Sequence, residues 1–363
     1  VSARNFSGTN DCHGWIGVRF QVYPRDEASQ IILHVRMLDK DVVQQQEALG
    51  IVGVNLLYGA FFLHHEPDEL LESLQDDLVP GRIEIDMIEF SGIGFRQIDN
   101  RLASLKLVQL GLSDAAMFDA ATGKVLQPSE VFRKKPVLVE RGSFRPVTHV
   151  NLDILRAAKE KFSASLPEED RGSIVQVAEI TMKNLLANEK VDHKDFLSRA
   201  DMLAACGMTV LISDYFEYYR LAAFLNQHTK KRIALTLGAV SLKDLFDPKY
   251  YTHLDGGILE SFGRLFKNDL KIYVYPYMNP QTERIETVEN VTIQAEQYNL
   301  FTYLLEHDHL VHLDNYTPEY LNIFSRTVLK QIEKGDPAWE KAMPEAVAQI
   351  IKQRQLFGYH KHH

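Results

Sequence analysis

The sequence predicts an α/β protein of two halves, in which the second half is a parallel, doubly wound, Rossmann-like sheet and a helical C-terminal segment follows. Residues 206–277 alternate short apolar segments with helical segments in one unbroken run, which is the pattern of βαβ units with right-handed crossovers. The apolar segments are short and continuous, as in strands that are buried on both faces. The chain has 363 residues, a length typical of about two domains.

The second half supplies the strands and helices on which this fold class depends. Its apolar segments are rich in Val, Ile and Leu, and Tyr215, Tyr218 and Leu221 begin an apolar stripe at helical spacing. We expect the first two strands to be neighbours in one parallel sheet, with their ends at a shared concavity. The predicted strands are 209–213, 233–237 and 270–275, and the predicted helices are 214–225, 241–246 and 258–266.

The first half also alternates strands and helices. Residues 82–90 show strict apolar and polar alternation, which is typical of a strand with one buried face. The chain starts at Val1 inside a strand-and-loop pattern, so we expect residues to precede it. The predicted strands are 15–23, 30–38, 82–90 and 137–140, and the predicted helices are 42–63, 67–78, 100–110 and 151–162.

A polar segment with Pro and Gly but no periodicity lies at residues 163–173 and is typical of a linker. The sequence therefore predicts an N-terminal α/β domain at 1–162, a linker at 163–173, a Rossmann-like domain at 174–282 and a mainly helical segment at 283–363. We expect a ligand pocket between the two domains.

Candidate ligand-binding residues follow the predicted strands of the second half. Ser213, Asp214 and Gly238 come at strand ends, where parallel α/β sheets bind ligands. The turn at Gly256 and Gly257 opens a helix, and its N–H groups could bind an anion. Alternatively, the two glycines only make a tight turn.

A second candidate anion site follows the predicted strand 137–140. Arg141, Ser143 and Arg145 come at its carboxyl end, and arginine binds carboxylates and phosphates with two parallel hydrogen bonds. We expect at least one arginine to face the inter-domain pocket. The alternative is a cluster of surface salt bridges.

A third candidate lies on one predicted strand of the first half. His34 and Arg36 alternate along residues 30–38 and so share one face of the strand. These two side chains either line a ligand site or form a buried polar network that is satisfied internally.

Composition excludes some classes of function. A formal net charge of -9 argues against a nucleic-acid-binding protein, and no apolar run reaches the length of a membrane span. With two cysteines there is no disulfide framework, so we expect a reducing cytoplasm. The GxGxxG and GxxxxGK[ST] fingerprints are absent. No catalytic residue, metal or cofactor is assigned, and a homo-oligomer is compatible with the sequence.

Several segments resemble a family of bacterial proteins that carries two conflicting descriptions. One description is TonB-dependent receptor, and the other is nicotinate- or nicotinamide-nucleotide adenylyltransferase. A receptor of the first kind needs many membrane-spanning strands of alternating polarity, whereas this chain reads as helix-rich α/β. The second kind uses an HxGH motif, and residues 12–15 lack its second histidine. The segments that carry the resemblance are 12–15, 34–39, 45–50, 111–118, 141–146, 212–220 and 256–263.

These observations favour a cytoplasmic protein that binds a small anionic, nucleotide-like metabolite and acts on it as an enzyme. A metabolite sensor without turnover is one alternative. A structural subunit of a larger complex, which would expose a large apolar patch, is another. A nucleotidyltransferase, as one family description implies, is the third.

Overall fold

A computed structural model of the chain describes residues 1–2, 12–187 and 190–360. It divides into two compact units, residues 1–128 with 211–214, and residues 129–210 with 215–363. The segment 163–173, predicted as a linker, lies in the second unit and contains a short helix. In the described part of the chain, no helix has the length and apolar character needed to cross a lipid bilayer.

The first unit is built on a three-stranded antiparallel sheet with helices against one face. Ile31, Leu33 and Val35 alternate along the middle strand and are fully buried, because successive side chains of a strand point to opposite faces. The sheet order is β1-β2-β3. The elements are β1 (Cys12–Phe20), β2 (Ser29–Met37), α1 (Val42–Phe62), α2 (Pro67–Ser73), β3 (Ile83–Ser91), α3 (Asn100–Gln109), β4 (Ala115–Asp119) and β5 (Val125–Leu126).

From residue 128 onward, strands alternate with helices of varied length. The elements are α4 (Pro128–Phe132), β6 (Val137–Arg141), α5 (His149–Ser165), α6 (Glu168–Arg171), β7 (Val175–Thr181), α7 (Met182–Leu185), β8 (Leu186–Ala187), β9 (Lys190–Val191), α8 (His193–Ala205), β10 (Thr209–Ser213), α9 (Tyr218–His228), β11 (Ile233–Gly238), α10 (Leu242–Leu245), α11 (Gly257–Leu265), β12 (Lys271–Tyr275), β13 (Tyr277–Asn279), β14 (Arg284–Glu286), α12 (Tyr298–Glu306), β15 (Leu310–His312), α13 (Ser325–Lys334) and α14 (Glu345–Arg354).

The main sheet has eight strands in the order β15-β12-β11-β6-β7-β10-β4-β5 and is mostly parallel. Parallel ladders join β15 to β12, β12 to β11, β11 to β6 and β6 to β7, whereas β4 and β5 pair antiparallel. The prediction of an α/β chain with a large parallel sheet is confirmed. The segment after residue 283, predicted as mainly helical, also contributes β14 and β15.

The predicted adjacency of strands 209–213 and 233–237 is wrong. The neighbours of β11 are β12 and β6, and β6 comes from a part of the chain that the sequence assigned to the first domain. Strand order in a parallel α/β sheet need not follow chain order, because crossover helices let a strand insert beside an earlier one that is distant in sequence.

Candidate functional site

A pocket of about 230 Å³ opens in the second unit at the carboxyl ends of β6 and β7. Ligands of parallel α/β sheets bind outside the carboxyl ends of the strands, so the pocket occupies the position that the fold favours for binding. Its lining comprises Arg141, Thr181, Lys183, Asn184, residues 216–218, Ser241, Asp244, Leu245, Tyr250 and Tyr251.

Arg141, the last residue of β6, forms the floor of this pocket through a buried ion pair. Its Nε and Nη2 atoms donate to the Glu179 carboxylate at 2.7 and 2.9 Å. Nη1 and Nη2 also donate to the carbonyl oxygens of Phe216 and Tyr215, at 2.7 and 2.8 Å. Burial by itself would lower the pKa of the Arg141 guanidinium. The charge and hydrogen bonds of Glu179 have the larger combined effect, so the pKa is raised. Most of its donors are therefore used to hold the segment before α9.

Aromatic rings form much of the wall. The Arg141 guanidinium lies 4.3 Å from the centroid of the Tyr218 ring, and burial raises the pKa of that phenol. The Phe216 and Tyr250 rings are 5.2 Å apart and inclined at 60°. The Tyr251 hydroxyl donates to the Leu245 carbonyl at 2.6 Å. Phe216 and Tyr250 therefore offer planar surfaces on which a flat ligand can stack.

Lys183 places a positive charge beside these rings. Its Nζ lies 3.9 Å from the Phe216 ring centroid and 6.0 Å from that of Tyr250. The described residues show no carboxylate paired with it. An ammonium held by aromatic faces keeps its charge and its N–H donors available to an anion.

Two carboxylates balance this cation. Asp244 is exposed on α10. The Oε2 atom of Glu217 is buried and has no hydrogen-bond partner within the described ranges. Nη1 of Arg220 and Nε2 of the His253 ring each lie 3.9 Å from its carboxylate. The lining thus combines one accessible cation with two acceptors for donors on a ligand.

Arg141 is the predicted site residue that lines this pocket. Arg145 donates through Nε to Asp195 at 2.6 Å and is nearly half exposed. Ser143 is exposed, and its carbonyl accepts from Arg199 at 3.1 Å. Both arginines are therefore paired with carboxylates, Arg141 inside the unit and Arg145 near its surface.

Gly256 and Gly257 lie at the start of α11, and their N–H groups are used within the chain. The Gly256 N–H donates to the Glu260 carboxylate at 2.9 Å, and the Gly257 N–H donates to the Leu254 carbonyl at 3.0 Å. Gly257 has a φ of +54°, a left-handed conformation that glycine adopts without strain. This geometry is that of a tight turn.

The other residues predicted at strand ends do not line this pocket. Ser213 is fully buried at the end of β10, and Asp214 is exposed, with its N–H donating to the Asp114 carbonyl at 2.8 Å. Gly238 ends β11 in register with Tyr275 of β12.

His34 and Arg36 lie in β2 and form polar contacts inside the first unit. His34 Nδ1 lies 2.6 Å from Asp86, and its Nε2 lies 2.9 Å from Nδ1 of His13. Gln127 donates to the other Asp86 oxygen at 3.3 Å, and Arg36 pairs with Glu84. Because a carboxylate only accepts, Nδ1 of His34 is the donor in its contact with Asp86.

Replacing Asp86 by Ala should lower the free energy of unfolding by about 1–3 kcal/mol, because the buried Nδ1–H of His34 loses its acceptor. Chemical denaturation of the wild-type and variant proteins measures this loss. Glu72→Ala, at an exposed position of α2, is the matched control and should change stability by less than about 0.5 kcal/mol. Equal effects of the two substitutions would contradict a structural role for the network.

Lys183, Phe216, Tyr250 and the two carboxylates were not among the predicted site residues. The stripe at Tyr215 and Tyr218 suggested a helix from 214, whereas α9 begins at Tyr218 and residues 215–217 form a loop. The available signal was the run of aromatic residues at 215–219 together with Tyr250 and Tyr251.

The chain matches no protein-family model, and a search of curated proteins finds no significant match. Residues 12–15, which most nearly approach an HxGH motif, lie in β1 and pair with β2. Across the ranges that the structure describes, no three potential metal-ligating side chains cluster closely enough to hold a metal ion. The resemblance to the bacterial family therefore stays a prediction.

Proposed function

We propose that the protein binds a small anionic, nucleotide-like metabolite in the pocket at the carboxyl ends of β6 and β7. The observation that supports this most strongly is the Lys183 ammonium, which lies 3.9 Å from the Phe216 ring and has no paired carboxylate in the described chain. It supplies the charge for an anionic group directly beside an aromatic surface for a planar ring.

The rest of the lining fits the same class of ligand. The Phe216 and Tyr250 rings pack against each other with their centroids 5.2 Å apart, and together they form an aromatic surface against which a heterocycle can stack. The Ser241 hydroxyl and the Asp244 carboxylate, both in the lining, can bind hydroxyl groups of a sugar. At about 230 Å³ the pocket suits a metabolite rather than a polymer.

An enzyme and a sensor would share this binding chemistry. In the lining described, the groups that can transfer a proton are the Glu217 and Asp244 carboxylates, the Lys183 ammonium and the tyrosine hydroxyls, so acid–base catalysis is the reaction class that the pocket supports. A cytoplasmic location is part of the proposal, because Cys12 and Cys206 are both free thiols. Mass spectrometry of metabolites incubated with the protein separates turnover from simple retention.

Lys183→Gln should weaken binding of adenosine 5′-monophosphate about 10- to 100-fold, because one hydrogen bond from a charged group contributes about 1.5–3 kcal/mol. Isothermal titration calorimetry with adenosine 5′-monophosphate, adenosine and inorganic phosphate measures this effect. Adenosine should bind more weakly than its monophosphate and should be insensitive to the substitution.

Lys159→Gln, at an exposed position of α5, is the matched control and should leave all three affinities unchanged. If the wild-type protein binds none of the probes and retains no anionic metabolite from a cell extract, the proposed function is wrong. Equal affinity for adenosine and its monophosphate would show that the pocket does not recognise an anionic group.

A further inference from the structure

Helix α1 carries an apolar face that stays exposed among the described residues. Seven large apolar side chains of this helix are 50–71% exposed, Val42 and the six named below, whereas ordinary surface helices expose mainly polar residues. The α1 face, as we name this surface, comprises Val43, Val54, Leu57, Tyr58, Phe61 and Phe62.

The helix is anchored by its opposite side. Ala48, Val52, Leu56 and Ala60 are fully or almost fully buried in the core of the first unit. The α1 face is therefore presented by a fixed helix. Its members from Val54 to Phe62 are neighbours on consecutive turns and form an exposed apolar patch of the kind that marks an interaction surface, and Val43 lies about three turns before them.

The exposed residues follow the spacing of a helix–helix seam. Alternating steps of four and three residues are the heptad pattern that packs one helix lengthwise against another. A side chain added at Gly50 would meet no atom within 4 Å, so this position leaves open space for a neighbouring backbone. The residues in this register are Val43, Glu47, Gly50, Val54, Leu57 and Phe61.

We propose that the α1 face binds the α1 face of a second copy of this chain, forming a two-fold symmetric homodimer. The three aromatic side chains would each bury up to about 150–250 Å² in full; at half to two-thirds exposure, and with the smaller Val43, Val54 and Leu57 added, the face offers roughly 600 Å² per copy. Two copies together bury roughly 1,200 Å², which reaches the lower limit for specific, stable interfaces. In a two-fold symmetric dimer the same surface supplies both sides of the interface, so the α1 face alone can provide this area.

Charge favours a second copy over a membrane surface. Helices that lie in the membrane interface carry Lys or Arg on their polar side, whereas Glu47 is the one charged residue in the sequence of α1. Its carboxylate lies 3.0 Å from Nη2 of Arg82, so the charge is compensated within the unit. Two α1 faces can therefore meet without like-charge repulsion.

Sedimentation velocity of the full chain should show a dimer at micromolar concentrations. The Leu57→Glu, Phe61→Glu variant should raise the dissociation constant at least about 100-fold, because each copy would place two charges in the apolar seam. Leu259→Glu, Tyr298→Glu is the matched control, since both positions are exposed apolar residues on other helices, and it should remain dimeric. Circular dichroism establishes that each variant is folded.

A cysteine variant tests the contact without weakening it. Val54→Cys, near the middle of the α1 face, should form a disulfide-linked dimer on mild oxidation, whereas Val240→Cys at another exposed site should not. The native thiols interfere little, because Cys12 is buried and burial raises the pKa of Cys206 to about 11.

A wild-type chain that stays monomeric up to roughly 100 μM would overturn the proposal. So would a dimer that the acidic variant leaves intact. Binding of a monomeric wild-type chain to phosphatidylcholine–phosphatidylglycerol vesicles, lost in the acidic variant, would instead assign the α1 face to lipid.

Discussion

Replacing Glu179 by Gln should lower the free energy of unfolding by about 3–5 kcal/mol. Glu179 is fully buried and Arg141 is 10% exposed, so removing one charge leaves the other uncompensated in the interior. The amide oxygen of the substituted side chain could still accept one hydrogen bond from the guanidinium, as the carbonyl oxygens of Tyr215 and Phe216 do, but no negative charge would face it. Urea denaturation at neutral pH measures the loss.

Two comparisons decide whether the loss comes from the buried ion pair. Glu340→Gln breaks the exposed pair with Lys352 and should cost less than about 1 kcal/mol. The double variant Arg141→Met, Glu179→Leu should be more stable than Glu179→Gln, because two apolar side chains avoid the buried charge. A cost below about 1 kcal/mol for Glu179→Gln would contradict the structural role of the pair.

The strands of the second half could be predicted because their signal is local. The segment 209–213 matches β10 at both ends, and β11 and β12 match within one residue at each end. Continuous runs of apolar, β-branched residues are typical of strands covered on both faces. In contrast, β4 contains two alanines and a methionine in five residues, and β15 has three residues, so neither carries a periodic signal.

Strand neighbours could not be predicted from the same signal. Pairing of β11 with β6 joins residues almost one hundred positions apart, and no local pattern encodes a contact at that separation. The register of such strands depends on which helices fit against each face of the sheet, and this is a property of the whole unit.

Of the residues that line the candidate site, the sequence predicted only one, which lies at the end of a strand. Arg141 is the last residue of β6 and was among the predicted residues. Phe216 belongs to a loop that the sequence pattern predicted as the start of a helix. The N-cap residue of α9 is Glu217, whose side chain makes no capping hydrogen bond. The sequence therefore contains no clear signal for where α9 begins. Lys183 comes from the one-turn helix α7, a length without detectable periodicity.

Glu140 lies beside Arg141 in β6, but it is a buried acid without a cationic partner in the described chain. Its Oε1 accepts from Nδ2 of Asn151 at 2.8 Å, and its Oε2 has no hydrogen-bond partner within the same residues. The side chain is 3% exposed, and burial raises its pKa from 4.5 to about 8. A carboxyl group in this position is therefore neutral in the folded protein at pH 7.

Stability should consequently fall as the pH rises from 4.5 to 8. In this range the folded state keeps the proton on Glu140 while the unfolded state loses it, so deprotonation favours unfolding. The stabilising contribution of the protonated carboxyl is complete below pH 4.5 and is lost once the pH passes 8. Above pH 8 the full penalty of the buried charge applies.

Glu140→Gln should therefore raise the free energy of unfolding by about 4 kcal/mol at pH 9 and change it little at pH 5. Glutamine has the size and neutrality of the protonated acid, and its amide oxygen can still accept from Asn151. Urea denaturation across this pH range measures the difference. Glu296→Gln, at an exposed position just before α12, is the control and should give no pH-dependent change. A Glu140→Gln variant whose stability parallels that of the wild type from pH 5 to 9 would show that Glu140 ionises normally in the folded protein.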